Sequence, residues 1–166
     1  MSTQSFGATG LIAFLEDLGI VTTTVQHPPL YTVEDSKALR GDLPGGHCKN
    51  LFLRNKKGQM WLVVCPEDRV LDMKDLGERI GAGRVSFGSP ERLTTHLGVL
   101  PGAVTPFAVM NDADRLVRVV LDEALMAESL LNFHPLVNDQ TTSITPGDLM
   151  KFLEAVDHRP VVLTLA

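Results

Sequence analysis

Two apolar runs constrain this chain more than any other feature: Leu51-Phe52-Leu53 and Trp61-Leu62-Val63-Val64-Cys65. They are joined by Asn55-Lys56-Lys57-Gly58-Gln59, a polar link that contains a glycine. That pattern predicts a β-hairpin, with strands over Cys48–Arg54 and Met60–Cys65. The second run has no polar position, so it reads as a central strand covered on both faces. A sheet with other elements packed against it follows.

The flanking sequence supplies those elements. Leu11, Ile12, Phe14, Leu15 and Leu18 recur at helical spacing between Ala8 and Leu18, and Gly19 is a stop. Thr22–Gln26 is β-rich, and His27-Pro28-Pro29 turns the chain. Thr32 and Asp35 stand at capping-box distance for a short helix, and residues 41–46 form a Gly/Pro loop. Met73–Ile80 reads as a helix, and Val85–Gly88 as a short extended stretch. Ser89-Pro90 opens another helix, with an N-cap followed by Pro at the first position, ending near Gly98. Phe107–Met110 reads as a short apolar strand. Leu116–Asp122, Leu130–His134 and Thr141–Ile144 read as strands, and Glu123–Ala127 as at most one helical turn. Thr145-Pro146-Gly147-Asp148 opens an amphipathic helix through Val156, and Pro160–Leu165 is a β-rich tail. The expected fold class is α/β (mixed α+β): one domain spanning residues 1–166, with a mixed, mostly antiparallel sheet of about six or seven strands and surrounding helices.

Composition narrows the function classes. A 166-residue chain with 44% hydrophobic residues can bury a core without staples. The first ten residues contain no Lys or Arg, and the apolar runs are far short of the ~20 residues of a membrane span, so a cytoplasmic protein without membrane association is expected. Cys48 and Cys65 read as small buried hydrophobes. The five histidines lack metal-site spacing, so no metal is expected, and no Gly-rich dinucleotide loop or Walker sequence signals a cofactor. The net charge of −5 argues against a general nucleic-acid coat and gives no reason to expect DNA as a partner. The charge is uneven, however. From Lys37 to Gln59 six basic residues face one acid, which permits a local phosphate-binding face.

Covalent catalysis is disfavoured. A Gly-x-Ser-x-Gly elbow is absent, and the adjacent His47 and Cys48 would point to opposite faces of a strand. The remaining polar candidates are Lys49 and Asn50 at the mouth of the first hairpin strand, and His134 before Pro135. An ammonium beside an apolar run is either snorkelling to solvent or held for a purpose.

Five segments in order give these residues meaning: His27-Pro28-Pro29-Leu30-Tyr31-Thr32-Val33-Glu34, Lys49-Asn50-Leu51-Phe52-Leu53, Gly102-x-x-x-Pro106-Phe107, Phe133-His134-Pro135-Leu136-x-Asn138 and Ile144-Thr145-Pro146-Gly147-Asp148-Leu149. Across nearly the whole chain this order resembles the editing domain inserted in bacterial prolyl-tRNA synthetases and its freestanding YbaK-like relatives. It is most similar to the ProXp-ala (PrdX) type, through the Lys-Asn pair and the Phe-His-Pro-Leu segment. The resemblance implies a trans-editing aminoacyl-tRNA deacylase, a carboxylic ester hydrolase without cofactor, acting on alanine mischarged to tRNA for proline. Small apolar differences are worth only ~1–3 kcal/mol, so a second site must clear the error. An aminoacyl ester is already activated, so a positioned water with help from the substrate's own ribose hydroxyl suffices without a covalent intermediate.

The resemblance also implies roles. Lys49 and His134 are the catalytic candidates. Asn50, Tyr31, Thr32, Val33 and the loop Gly102, Ala103, Val104, Thr105 and Pro106 would bind substrate. Lys37, Arg40, Arg54, Lys56, Lys57, Arg79 and Arg84, with Arg92 beside them, would meet the acceptor end of the tRNA. Such phosphate contacts position rather than specify. Prolyl-tRNA synthetase is the candidate protein partner. Competing readings are a deacylase for cysteine or serine on the same tRNA, a non-catalytic tRNA- or synthetase-binding module, and a metal hydrolase.

Overall fold

The computed structural model describes residues 7–29 and 45–165. The expected helix near Thr32, the candidates Tyr31, Thr32, Val33, Lys37 and Arg40, and most of the loop over residues 41–46 lie outside the described residues.

The elements follow the sequence pattern closely. Helix α1 (Ala8–Asp17) is followed by β1 (Thr23–Gln26). The hairpin is β2 (Gly46–Asn55) and β3 (Met60–Pro66). Next come α2 (Met73–Arg79), β4 (Val85–Phe87) and α3 (Pro90–Leu97). Two 3₁₀ helices (Pro101–Ala103 and Pro106–Asn111) lead to β5 (Val117–Asp122), and a third (Glu123–Ala127) leads to β6 (Leu131–Phe133). The chain closes with β7 (Gln140–Ile144), α4 (Pro146–Ala155) and β8 (Val161–Leu163). Local caps explain the boundaries. Ser89 accepts from the Arg92 N–H at 3.1 Å, Pro90 occupies the first turn, and Gly98 ends α3 at φ 67°. Thr145 caps α4 in the same way, accepting from the Asp148 N–H at 3.2 Å.

The stretch Phe107–Met110 is not a strand. It lies in the 3₁₀ helix Pro106–Asn111, because Thr105 caps the Phe107 N–H at 3.3 Å and Pro106 sits at the first position. A short apolar run does not reveal its period; the cap ahead of it decides.

The strands form one mixed sheet in the order β1-β7-β6-β2-β3-β5-β8, with β4 paired to the far end of β2. That is eight strands among the described residues, more than the six or seven expected. The additional ones are short strands at the margins. Four pairings are antiparallel, and β2–β6, β3–β5 and β5–β8 are parallel.

β3 is central, as its sequence demands. Leu62 and Val64 face a large core with α1, α3, α4 and the second 3₁₀ helix. Trp61, Val63 and Cys65 face a smaller core on the other side with Leu76 of α2. Phe107 anchors the large core, edge-on to Phe133 at 5.9 Å and to Phe152 at 5.3 Å. It thus ties the loop before it to the strand that leads into His134, and each such aromatic pair adds roughly 0.5–1.5 kcal/mol beyond area burial.

Candidate active site

Strand alternation sorts the candidates onto faces. On β2, Cys48 and Phe52 join the large core while Leu51 and Leu53 join the small one. Asn50 therefore points to the large-core side, and His47 and Lys49 to the other. On β6, Leu131 and Phe133 belong to the large core, which leaves Asn132 on the opposite face. The parallel register sets Gly46 against Leu131 and His47 against Asn132, so His47, Lys49 and Asn132 share one face. The pairing ends at His47 and Asn132, two residues short of Lys49 on β2 and of His134, which follows β6. The parallel β2–β6 pairing thus brings the strand mouth that carries Lys49 next to the strand that leads into His134.

The surroundings of that face are polar. Asn132 Oδ1 accepts from Ser143 Oγ at 2.6 Å, and its Nδ2 donates to the Gly46 carbonyl at 3.2 Å. The entry to β2 depends on Gly45. Its φ is 95°, and a Cβ there would stand 2.7 Å from the Leu130 carbonyl oxygen, which accepts from the Gly46 N–H at 2.7 Å. Lys49 Nζ donates to the Arg69 carbonyl. Lys49 faces Cys65 across the hairpin, and Arg69 Nε also pairs with the buried Asp122 at 2.9 Å.

His134 is partly buried just after β6. Its Nδ1 lies 3.0 Å from the Gln140 carbonyl, an obligate acceptor, so Nδ1 carries the proton and the lone pair is at Nε2. Burial lowers its pKa. The Gln140 carbonyl opposes that shift, and the nearby His27 adds to it. His134 is therefore a neutral imidazole at neutral pH, fit to accept a proton. His27 stands beside it, with ring centroids 6.3 Å apart, and is held by Thr141 Oγ1 at 2.8 Å and the Pro28 carbonyl at 2.7 Å.

Asn50 is distinctive in another way. Its Oδ1 is a buried acceptor with no hydrogen-bond partner among the described residues. Such an orphan costs about 1–3 kcal/mol and asks for an explanation.

The two cysteines are no nucleophiles. Burial pushes the Cys65 thiol up to about 11 although the Lys49 cation opposes it. Burial, Cys65, Glu128 and Glu67 push Cys48 up as well. Both are free thiols, consistent with the small-hydrophobe reading. Among the described residues, no three His, Cys, Asp or Glu side chains are grouped to hold a metal ion.

The Gly102–Pro106 loop meets the segment after His134. Leu100–Ala103 and Leu136–Asp139 line one cleft of about 490 Å³. Leu136 adopts φ 71°, a strained conformation for a branched residue, on the wall of this cleft. The His27 N–H donates to the Asp139 carbonyl at 2.9 Å and fastens that wall to β1. Of the five loop candidates, Gly102 and Ala103 line the cleft. Val104 packs partly buried against the core, while Thr105 and Pro106 are buried and position the loop.

The basic candidates do not form one continuous face. Lys56 and Lys57 are exposed at the hairpin turn, at the far end of β2 from Lys49, and Arg54 is half-buried beside them. Arg79 is engaged by Asp75 at 2.8 Å and the Thr164 carbonyl at 2.7 Å. Arg84 lines a separate cleft with Lys74 and Glu78.

Several participants escaped the sequence reading. His27 was visible as part of a turn and of one of the five segments but was given no role, and its approach to His134 needs β1 against β7. Asn132 stands two residues before His134, the spacing that puts both on one face. The Arg69–Asp122 pair depends on the parallel β3–β5 pairing and left no signal.

Comparison with known proteins adds an independent line. The model of a family described as an aminoacyl-tRNA editing domain matches residues 27–152. The chain is 39% identical over 153 residues to prolyl-tRNA synthetase associated domain-containing protein 1 of Danio rerio, covering 91% of this chain and 83% of that protein. It is 39% identical over 146 residues to the prolyl-tRNA editing protein ProX of Acetoanaerobium sticklandii, covering 87% and 89%. A solved structure described as a candidate trans-editing enzyme for prolyl tRNA synthetase superposes with a TM-score of 0.74 at 21% identity, covering 98% of each chain.

Proposed function

Because the chain belongs to the aminoacyl-tRNA editing domain family, we propose that it is a trans-editing deacylase that hydrolyses the ester of alanine mischarged to tRNA for proline. The observation that supports this reading is the β2–β6 pairing, which brings the strand mouth with Lys49 next to the strand leading into His134, together with the cleft that the segment after His134 forms with Gly102 and Ala103. The neutral Nε2 of His134 takes a proton from the attacking water or from the vicinal ribose hydroxyl. Lys49 spends one N–H on the Arg69 carbonyl, and its other donors anchor the terminal phosphate or the ester carbonyl. Asn50 acts from the other face of the strand mouth, where its Oδ1 accepts from a substrate N–H or O–H. Water adds to the ester carbonyl, and alanine and the free 3′ end leave. Tyr31, Thr32 and Val33 bind substrate in this reading. A methyl-sized pocket excludes proline by overpacking, which typically costs ~1–3 kcal/mol. Lys37, Arg40, Arg54, Lys56, Lys57, Arg79 and Arg84 contribute phosphate contacts, and the protein works in the cytoplasm on tRNA released by prolyl-tRNA synthetase.

The test compares deacylation of alanyl-, seryl-, cysteinyl- and prolyl-tRNA for proline by the wild type and by Lys49→Ala. Loss of alanine with sparing of proline is the expected result. An anchoring role for Lys49 predicts a KM effect, and a role in the transition state predicts a kcat effect. Faster loss of serine or cysteine would move the specificity, and inactivity on every ester would refute the enzyme reading.

A further inference from the structure

At the hairpin end of the sheet, three chain segments deliver cations to one cleft. Lys57 comes from the β2–β3 turn, Arg92 and His96 from α3, and Arg115 and Arg118 from the approach to β5 and its second residue. The cleft encloses about 440 Å³, and no carboxylate is among its lining residues. On a chain with 20 acids and 15 bases, four permanent cations around one concavity stand apart from the average surface. Arg115 Nη1 lies 3.7 Å from a carboxylate oxygen of Asp157. Both side chains are largely exposed, at 64% and 75%, so that pair is weak and exchangeable. The Arg118 guanidinium carbon lies over the Trp61 ring, 5.5 Å from its centroid.

The distance to the candidate active site is set by β2. Five residues separate Lys49 from Arg54, or about 17 Å at ~3.3 Å per residue, and the turn lies beyond. A base-paired strand advances ~3.4 Å per nucleotide along its axis, so roughly five nucleotides cover that length and the turn beyond it makes about six. We propose that this cleft clamps the sugar–phosphate backbone of the substrate RNA about six nucleotides inward from the ester. The inference rests on the editing reading for the identity of the RNA. Two of its residues, Arg115 and Arg118, lie in the acid-rich half of the sequence, where nothing in the linear pattern marks them.

The experiment uses the full chain and the double variant Arg115→Gln/Arg118→Gln. Binding of uncharged tRNA is followed by filter retention across a KCl series. Deacylation is measured on aminoacyl-tRNA and on an aminoacyl-CCA trinucleotide. The variant is expected to bind tRNA about tenfold more weakly at low salt, and its slope of log Kd against log[KCl] should fall by about 1.5, the contribution of two phosphate contacts. Its kcat/KM should drop more on the tRNA than on the trinucleotide. Arg115→Lys/Arg118→Lys should keep the slope, which separates charge from folding, and Arg92→Gln should reproduce the loss from the opposite wall. Wild-type Kd and slope in the Gln variant would overturn the cleft while leaving deacylation standing. If no ester is hydrolysed yet the variant loses tRNA binding, the editing reading fails and the cleft survives. An effect on binding of a protein partner, with none on RNA, would also overturn it.

Discussion

Replacing His158 by Leu should destabilise the protein by about 3–5 kcal/mol, the cost of leaving a buried charge without its partner. His158 and Asp112 are 3% and 2% exposed, with His158 Nε2 2.9 Å from Asp112 Oδ2. The same oxygen accepts from the Val117 N–H at 2.8 Å, and His158 Nδ1 donates to the Val156 carbonyl at 2.7 Å. The pair therefore ties the end of α4 to the 3₁₀ helix after the Gly102–Pro106 loop and to the start of β5. Burial alone would raise the Asp112 pKa, but hydrogen bonds from His158 and from the Val117 and Leu116 backbone outweigh it and hold the carboxyl below its ordinary value. A carboxylate depressed on folding contributes stability above its unfolded pKa of ~3.9, and loses it as pH falls through the lower folded value. Urea denaturation at pH 7 and across the acid range is the assay. In His158→Leu the midpoint should fall at pH 7, and the gap from wild type should close below about pH 4. Because Leu fills the ring's volume without a donor, the loss reports the unpaired carboxylate rather than a cavity. Asp112→Asn/His158→Leu should then be more stable than His158→Leu alone. A loss under about 1 kcal/mol at pH 7, or a double variant no better than the single, would refute the reasoning.

Two further outcomes follow from the site. With its pKa held below the ordinary 6.5, His134 should stay a neutral base through pH 7, so the acid limb of deacylation should fall below pH 6.5 and be absent from the profile of His134→Gln. An acid limb centred above pH 6.5 would contradict the burial of His134. Gly45→Ala should cost about 1–3 kcal/mol by forcing a Cβ onto the Leu130 carbonyl at positive φ, with hydrogen exchange at the Gly46 N–H accelerated. Unchanged exchange there would show that the strand mouth does not need a glycine.

How much could be read in advance depends on the range of the interaction that decides each feature. α3 was legible to the residue because Ser89, Pro90 and Gly98 settle its ends within a turn of chain. The Phe107 run was misassigned for the complementary reason: its apolar string fits either period, and the cap at Thr105 outweighed it. The sequence by itself determined the hairpin, the two-sided burial of β3 and the family-like order of the Lys49, Gly102 and His134 segments. These rest on local propensity and on the period of apolar residues. Only the tertiary structure decided that the strand mouth with Lys49 lies next to the strand leading into His134, that His27 stands beside His134, and that Arg115 and Arg118 join Lys57 and Arg92 around one cleft. Those facts hang on the parallel pairings β2–β6 and β3–β5, which join strands far apart in sequence. Pairing over such separations is selected by burial of the whole sheet, and no local pattern encodes its register.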